Sequence, residues 1–399
     1  MTQSPYASHW SLDPSVTFLN HGSFGACPTK VLEFQSEIRR RLERQPVRFF
    51  MQELEPKIDG ARAALGMYLG CDAEDLAFVP NASTGVNTVL RSLRFEPGDE
   101  LLTTNHAYNA CKNALDYVAE LSGARVVVAS IPFPIASSDE VVEAIVASVS
   151  ARTRLALVDH VTSPTALVFP IAKIVSRLKE RGVDTLVDGA HAPGMLDLDL
   201  SAIDAAYYTG NCHKWMCAPK GAAFLHVRRD KQSAIHPLNI SHGRNSTRTD
   251  RSRFRLEFDW VGTSDPTAFL CVPEAIRTLA SMLPDGSLGV RRHMRDLAMR
   301  ARAVLGSALN QPVAPQPDDM VGSMVAMPLP DTRGSAPTSY LSADPLQESL
   351  RQQHHIEVPV PIWPRHPRRL IRVSAALYNT LGDYERLAEA LKESVGQLG

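Results

Sequence analysis

The sequence predicts an α/β protein in which a mainly parallel sheet is joined to a smaller C-terminal α+β part. From residue 76 onward, seven short apolar runs alternate with amphipathic stretches. Continuous apolar runs are typical of strands buried on both faces, and helices between them are the usual connections of parallel strands. The runs lie at 76–79, 100–103, 125–128, 155–158, 184–187, 205–208 and 222–225.

Helices are predicted on either side of these strands and between them. Residues 28–70 carry apolar side chains at helical spacing, and four helix-like segments lie between the apolar runs. The four segments are 85–93, 108–122, 139–148 and 171–181. The polar, arginine-rich stretch 234–259 predicts a long loop, with its arginines in solvent or at a dimer interface. After it the pattern predicts helices at 267–282, 288–309 and 381–394, and strands at 324–327, 356–360 and 370–373.

Composition excludes several classes of function. A formal net charge of −1 gives no reason to expect nucleic acid or an anionic membrane as a partner. No apolar stretch is long enough for a membrane span, and the first residues do not resemble a signal peptide. The six cysteines form no CxxC pair, which argues against a metal site and predicts reduced thiols in the cytoplasm.

Three of the predicted strands end in polar residues, where α/β sheets bind ligands. Ser83 and Thr84 stand at the start of a helix and predict either a phosphate site or ordinary helix capping. His106 and Tyr108 follow the next strand and could stack on a planar ring or pack at the edge of the core. Ser163 follows a third strand, where turn formation alone would also explain it.

The strongest chemical signal is a carboxylate and a lysine, each at the end of an apolar run. Asp188 follows the run 184–187, and Lys214 lies in the segment Gly210-Asn211-Cys212-His213-Lys214-Trp215. A lysine can form a Schiff base with a carbonyl cofactor, and a buried aspartate can keep a pyridinium nitrogen protonated. The pair therefore predicts pyridoxal 5′-phosphate as cofactor.

Longer motifs carry a resemblance to a known family. They include Asn20-His21-Gly22-Ser23-Phe24-Gly25, Asp188-Gly189-Ala190-His191, His213-Lys214-Trp215, Gly262-Thr263-Ser264-Asp265-Pro266 and Leu370-Ile371-Arg372-Val373-Ser374. In this order, over nearly the whole chain, they resemble pyridoxal-phosphate enzymes of the class V aminotransferase fold (fold type I). Within that family the chain resembles the isopenicillin N epimerase-like group, and it is also similar to C–S lyases of the ergothioneine pathway.

The resemblance implies a role for each matching residue. Lys214 would bind the cofactor and move the Cα proton, Asp188 would pair with the ring nitrogen, and His191 and Ser163 would contact the phenolic oxygen. Tyr108, or alternatively His106, would stack on the ring. The remaining matches are the phosphate contacts Ser83, Thr84, Asn211 and His213, the substrate-carboxylate arginine Arg372, Asn20 and His21 at the substrate mouth, and Thr263, which would reach the phosphate of a neighbouring subunit.

The implied assembly is a homodimer with shared active sites, acting on a small-molecule amino-acid substrate in the cytoplasm, with no metal. A seven-stranded large domain (61–265) would lie between an N-terminal segment (1–60) and a small C-terminal domain (266–399). The N-terminal segment would contribute to the active-site mouth and to the small domain.

Several reactions are open to such an enzyme. Epimerisation and C–S β-elimination are expected about equally, since Lys214 with Tyr108 or His106 could serve either. Transamination is a weaker alternative, and a non-catalytic partner or regulator is the alternative of another class. Persulfide-forming desulfuration is not expected, because residues 331–371 contain no cysteine before Arg372.

Overall fold

The computed structural model describes residues 3–311, 313–333, 335–336, 338–339 and 342–398, with side chains of the last helix described to residue 394. Among the described helices, none is both long enough and apolar enough to cross a membrane. The strands in chain order are β1 (Thr17–Phe18), β2 (Leu76–Val79), β3 (Glu100–Thr104), β4 (Arg125–Ala129), β5 (Thr153–Asp159), β6 (Asp184–Asp188), β7 (Tyr207–Asn211), β8 (Ala223–Val227), β9 (Met324–Leu329), β10 (Ile356–Glu357) and β11 (Arg369–Ser374).

The helices connect and cover these strands. A π-helical turn at Phe49–Glu53 joins the third helix to the fourth. In chain order the helices are α1 (His21–Phe24), α2 (Thr29–Arg44), α3 (Pro46–Arg48), α4 (Leu54–Leu69), α5 (Ala82–Ser92), α6 (Asn109–Ser122), α7 (Ser138–Ala147), α8 (Ile171–Lys179), α9 (Leu200–Ile203), α10 (Arg253–Phe258), α11 (Thr267–Leu270), α12 (Val272–Ala280), α13 (Gly286–Ala308), α14 (Pro345–His354) and α15 (Leu381–Leu398).

Seven of the strands form one sheet, in the order β2-β8-β7-β6-β5-β3-β4. β8 runs antiparallel to both its neighbours, and the other pairings are parallel. The predicted mainly parallel seven-stranded α/β fold is therefore confirmed. Since β2, β3, β5, β6 and β7 point the same way, their carboxyl ends lie along one edge of the sheet.

Burial on both faces explains why the strands read as unbroken apolar runs. Ala156 and Val158 of β5 join one hydrophobic core, whereas Leu155 and Leu157 of the same strand join another. Alternate side chains of a strand point to opposite faces, so helices on both sides require apolar residues at every position.

The C-terminal part has a hydrophobic core of its own, in which side chains of α13, β9, β11 and α15 pack together. β9 and β11 are antiparallel, and β1 pairs in parallel with β10, with Thr17 opposite Ile356. The N-terminal segment is thus attached to the C-terminal part. The division at residues 60 and 265 stays a proposal, and its outer limits, residues 1 and 399, lie outside the described residues.

The stretch 234–259 differs from the predicted loop, because it contains α10. Ser252 caps this helix by accepting the N–H of Arg255. Arg255 is buried and donates to Asp59 (2.5 Å) and Asp259 (3.1 Å). These three residues together with Arg62 and Arg251 are called the arginine cluster below. Arg251 and Arg255 are thus paired within the chain rather than solvated, since carboxylates from α4 and from the end of α10 reach them. Arg244, Arg248 and Arg253 remain exposed, as expected.

The smaller elements also differ from the expectation. The predicted strand 356–360 contains only the two residues of β10, and α14 was not predicted. α14 nevertheless has local start signals, since Asp344 caps it and Pro345 occupies its first position.

Candidate active site

A cavity of about 460 Å³ opens at the edge where the parallel strands end. The ends of β6 and β7 supply Asp188, His191, Asn211, His213 and Lys214, and the ends of β2, β3 and β5 supply Ser83, Tyr108 and Ser163. Eight of the residues predicted from the sequence therefore line one enclosure. Its volume lies in the range that proteins use to bind small molecules.

Lys214 lies inside this cavity, and its Nζ is 3.0 Å from His191 Nε2. Burial, with a smaller contribution from Arg372, lowers the pKa of the lysine from 10.5 to about 7. A large fraction of the amine is therefore unprotonated near neutral pH. This is the form that attacks a carbonyl carbon.

His191 is oriented by the residue that follows the lysine. Trp215 Nε1–H donates to His191 Nδ1 over 3.4 Å. Burial holds the pKa of His191 well below its ordinary value, so the ring is neutral. A neutral ring that accepts at Nδ1 carries its proton on Nε2, which therefore points a donor at the lysine amine.

Asp188 is buried at the end of β6. One of its oxygens accepts the N–H of Ala190 (3.0 Å), and the other accepts the thiol of Cys111 (3.1 Å). Burial raises the pKa of this carboxyl, and the two hydrogen bonds and Lys214 oppose that rise. The next residue, Gly189, has to be a glycine, because a Cβ at this position would lie 2.3 Å from the ring of Tyr208.

Asp159 is a second carboxyl in the cavity, and the sequence analysis did not assign it a role. It lies directly opposite Asp188 in the parallel pairing of β5 with β6 and also lines the cavity. Burial, and then the charge of Asp188, raise the pKa of Asp159 well above its ordinary value. Two buried carboxyls this close do not both ionise readily, so Asp159 is the one that holds a proton.

The start of α5 forms one end of the cavity. Asn81 caps the helix by accepting the N–H of Thr84 (2.8 Å), and Asn211 Oδ1 accepts the N–H of Ala82 (2.8 Å). Because the oxygen of the Asn211 amide is used in this second bond, its NH₂ group is left free to donate to an anion. His213 donates Nδ1–H to the carbonyl of Ala222 (3.0 Å), and burial lowers the pKa of the ring to about 4. Nε2 is therefore an acceptor in the neutral ring and donates to an anion only when the anion's charge stabilises the protonated ring.

Two of the predicted phosphate contacts lie outside the cavity. The hydroxyl of Thr84 donates to Asn81 Oδ1 (3.1 Å) instead. Thr263 is exposed in the loop after α10 and does not line the cavity of its own chain.

Arg372 lies beside the cavity on β11. Its guanidinium donates to the carbonyl (2.6 Å) and hydroxyl (3.2 Å) of Ser163 and to the hydroxyl of Ser23 (3.1 Å). Its Nε has no hydrogen-bond partner among the described residues. A buried guanidinium without a carboxylate partner is suited to bind the carboxylate of a ligand.

His106 does not face the cavity, which corrects the expectation that it could stack on the cofactor or act on the substrate. Its ring is fully buried, bonded to Thr165 Oγ1 (2.7 Å) and the carbonyl of Ile131 (3.0 Å), and packed 4.6 Å from the ring of Trp363. Both ring nitrogens are used by these contacts. Tyr108 reaches the cavity instead.

Asn20 and His21 also lie elsewhere than at the predicted substrate mouth. Asn20 donates to Glu357 Oε1 (3.1 Å), and His21 is buried beneath Lys214. The residues of this segment that line the cavity are Ser23 and Phe24. The motif 20–25 as a whole indicated a place at the cavity. Within it, the short helix α1 directs Ser23 and Phe24 toward the cavity rather than the earlier residues.

The donor set fits pyridoxal 5′-phosphate. The cavity holds an amine for the aldehyde, a buried carboxylate for the ring nitrogen, and a helix start with amide and imidazole groups for the phosphate. No cluster of metal-ligating side chains is present in the described part of the chain.

Comparison with known proteins shows the family of the chain. Residues 28–387 match the family model described as aminotransferase class-V. The chain is 38% identical to isopenicillin N epimerase of Amycolatopsis lactamdurans, over 96% of each chain. It is 31% identical to a probable chloroplastic L-cysteine desulfhydrase of Arabidopsis thaliana, over 98% of this chain and 84% of the relative. A cysteine desulfurase from Thermococcus onnurineus NA1 shares the fold, with a TM-score of 0.80, 19% identity and full coverage of both chains.

Proposed function

The chain belongs to the class-V aminotransferase family, and on that premise we propose that it catalyses β-elimination at the C–S bond of a cysteine-type amino acid. It is an enzyme that depends on pyridoxal 5′-phosphate. When bound, this cofactor supplies an aldehyde for an amine and a ring that withdraws electrons from Cα of the substrate.

The residues of the cavity hold the cofactor in this proposal. Lys214 binds the aldehyde carbon, and Asp188 accepts a hydrogen bond from the ring nitrogen. His191 donates Nε2–H to the phenolic oxygen, an orientation that Trp215 maintains. Ser83, Asn211 and His213 bind the phosphate, and Tyr108 covers the ring.

Arg372 binds the α-carboxylate of the substrate. Ser163, which the resemblance assigns to the phenolic oxygen, bonds this guanidinium and is proposed to help hold the carboxylate. Arg372 Nε is buried without a partner, and its other nitrogens already bond serine oxygens that fix the plane of the group. A cavity of about 460 Å³ that must also hold the cofactor leaves room for a small amino acid. Cysteine and its simple S-substituted forms satisfy both requirements.

The observation that carries the choice of reaction is the position of Tyr108, whose side chain lines the cavity. Burial, with Cys111 and Asp188, raises the pKa of this phenol above its ordinary value of 10.0. It is therefore a proton donor and not a base at neutral pH. Elimination needs such a donor: Lys214 removes the Cα proton, the C–S bond breaks, and Tyr108 protonates the departing sulfur. With water added, the products are pyruvate, ammonia and a thiol.

Epimerisation is the second candidate, favoured by the 38% identity to an isopenicillin N epimerase. A reversible epimerase needs a group opposite Lys214 that both gives and takes a proton. Tyr108 with a raised pKa meets only half of that need. Transamination ranks below both.

We also propose that the enzyme works in the cytoplasm as a homodimer, with Thr263 reaching the phosphate in the partner's site. Six free cysteines support a reducing compartment. The exposure of Thr263 outside its own cavity supports the shared site. Light scattering gives the mass, and weaker cofactor binding by Thr263→Ala would support the contact across the dimer.

The test compares wild type, Lys214→Ala and Tyr108→Phe, each supplied with pyridoxal 5′-phosphate and L-cysteine or S-methylcysteine in deuterated water. Wild type is expected to release pyruvate and the thiol. Lys214→Ala is expected to lose both pyruvate release and deuterium exchange at Cα. Tyr108→Phe should lose roughly 10²-fold or more in pyruvate release while it still exchanges the Cα proton.

Other outcomes overturn the proposal in different ways. Deuterium at Cα with inverted configuration and no pyruvate would establish epimerisation, and an amino group passed to an oxoacid would establish transamination. Failure of wild type to bind pyridoxal 5′-phosphate would leave a non-catalytic role. Lys173→Ala is the matched control, since this lysine pairs with Asp139 on the surface.

A further inference from the structure

His21, the buried histidine of α1, makes contacts that the proposed chemistry does not explain. His21 is 1% exposed, and both of its ring nitrogens are bonded. Nε2 lies 3.0 Å from the backbone carbonyl of Lys214, and Nδ1 lies 2.8 Å from the hydroxyl of Tyr378. It therefore lies against the backbone of the lysine and away from the substrate.

The chemistry of these partners fixes where the protons are. A carbonyl oxygen only accepts, so His21 Nε2 carries the proton. Tyr378 keeps its own proton, because burial raises its pKa, and therefore donates to Nδ1. Burial, with Lys220 and Lys214 nearby, lowers the pKa of His21 to about 4, so the ring stays neutral. Two further titratable groups face it: Cys217, whose Sγ is 3.8 Å from Nε2, and the neutral ring of His191.

The carbonyl that His21 holds belongs to a strained turn. The N–H of Cys217 also donates to the carbonyl of Lys214 (3.0 Å), and Cys217 has a φ of +56°. A residue other than glycine is strained in this left-handed region, so surrounding contacts must hold it there. The bond from His21 is such a contact.

α1 presses on the lysine segment at a second point. A Cβ on Gly25, which has a φ of +70°, would lie 2.1 Å from the carbonyl of His213. Lys220 Nζ donates to the carbonyl of Gly25 (2.9 Å). At the other side of the same helix, Ser23 bonds Arg372. The segment 20–25 thus lies between the lysine and the carboxylate-binding arginine.

We propose that His21, held by Tyr378, is a positioning residue that fixes the backbone of Lys214 and thereby the direction of its amine. The proposal rests on the proposed function, in which Lys214 binds the cofactor. Without the bond the turn 214–217 relaxes, water reaches the amine, and the pKa of the lysine rises toward its ordinary value. His21 acts through the lysine and touches neither cofactor nor substrate.

The main experiment measures capture of pyridoxal 5′-phosphate by the cofactor-free protein as a function of pH, followed by absorbance and independent of turnover. Wild type should show a capture pKa near that of the buried lysine. His21→Leu should raise this pKa by roughly one unit. It should also lower kcat about 10- to 100-fold with little change in KM, because a misplaced reacting group slows the chemical step.

Three further variants separate positioning from folding. His21→Gln keeps a donor near the carbonyl and should restore most of kcat and the wild-type capture pKa. Tyr378→Phe removes one hydroxyl with little change in side-chain shape, and it should move the capture pKa in the same direction as His21→Leu. It replaces His21→Leu as the test if that variant fails to fold. Ser23→Ala should raise KM and leave the capture pKa unchanged, since Ser23 contacts Arg372.

The matched control is Tyr384→Phe. Tyr384 is also fully buried, and its hydroxyl donates to the carbonyl of Ser374 (2.8 Å). This variant should leave the capture pKa unchanged. The proposal is overturned if His21→Leu and Tyr378→Phe both capture the cofactor with the wild-type pH dependence, or if Gln at position 21 is no better than Leu. Loss of capture in wild type itself would instead overturn the proposed function.

Discussion

The protein buries charged side chains in two places, the cavity and the arginine cluster, and surrounds them differently. In the cluster, Arg255 and Arg62 each bond the carboxylates of Asp59 and Asp259. In the cavity, Lys214 has a neutral histidine as its neighbour, and Arg372 bonds serine oxygens and a backbone carbonyl. Each arginine of the cluster bonds carboxylates, although Nε of Arg62 and of Arg251 has no hydrogen-bond partner among the described residues, whereas Arg372 bonds no carboxylate. The charge of Arg372 is thus left to be paired by a ligand.

The difference predicts opposite consequences of substitution. A paired buried charge stabilises its partners, so removing it leaves carboxylates without compensation. An unpaired buried charge opposes folding, so removing it costs no stability and only function is lost.

The largest effect is expected for Lys214→Ala in the cavity. Turnover should fall by at least about 10⁴-fold, since both cofactor binding and proton transfer depend on the amine. The unfolding temperature of the cofactor-free protein should stay the same or rise. Pyruvate release measures turnover, and thermal unfolding measures the unfolding temperature. A marked fall in unfolding temperature would show that the lysine also supports the fold.

Arg255→Met should break the cluster. Its loss leaves Asp59 and Asp259 with fewer partners, but Asp59 is 37% exposed and both keep bonds to Arg62 and Arg251. The free energy of unfolding should therefore fall by about 1–3 kcal/mol. Urea denaturation measures this change. The variant that remains folded should bind pyridoxal 5′-phosphate as wild type does, and weakened binding would contradict the separation of the two regions.

The pH dependence of stability should distinguish the regions without disrupting either. The folded, cofactor-free protein binds the proton of Lys214 only up to about pH 7, whereas the unfolded chain binds it up to about 10.5. Stability therefore rises with pH across this window, by an amount on the order of 5 kcal/mol. Comparison with Lys214→Met isolates this contribution, because the variant lacks the titrating amine. Parallel curves for the two proteins would mean that the amine is solvated.

The smallest effect is expected where a pair is exposed. Lys173 and Asp139 have 50% and 70% of their side-chain surface exposed. Lys173→Ala should change the free energy of unfolding by less than about 1 kcal/mol and leave turnover unchanged. Urea denaturation of this variant and of Arg255→Met gives the two changes in the free energy of unfolding. Equal changes would mean that burial does not decide the strength of these ion pairs.

The sheet and much of the candidate site could be predicted because their signals are local. The run 184–187 marks β6 (Asp184–Asp188), and a residue directly after such a strand can lie only at the ligand-binding edge. Asp188 is placed by this reasoning, and Lys214 by the same reasoning together with its motif His213-Lys214-Trp215. Strand periodicity and helix spacing need no knowledge of distant residues.

The features that could not be predicted depend on distant contacts. His21 and Tyr378 are 357 positions apart, so no spacing rule relates them. Asp159 meets Asp188 only through the register of β5 with β6. Arg251 and Arg255 read as solvated because their carboxylate partners lie in other parts of the chain, such as Asp59 in α4.

The pairing of β1 with β10 has a consequence for the order of events during synthesis. Thr17 meets Ile356, and His21 meets Tyr378, so the segment translated first docks against a segment translated near the end. At about 5–20 residues per second, the early segment waits roughly 20–70 seconds for its partner on the ribosome. The large sheet can form during this time, but the turn that bears Lys214 is not yet clamped. A translation product that stops before Tyr378 therefore carries the reactive lysine without the contacts that aim it.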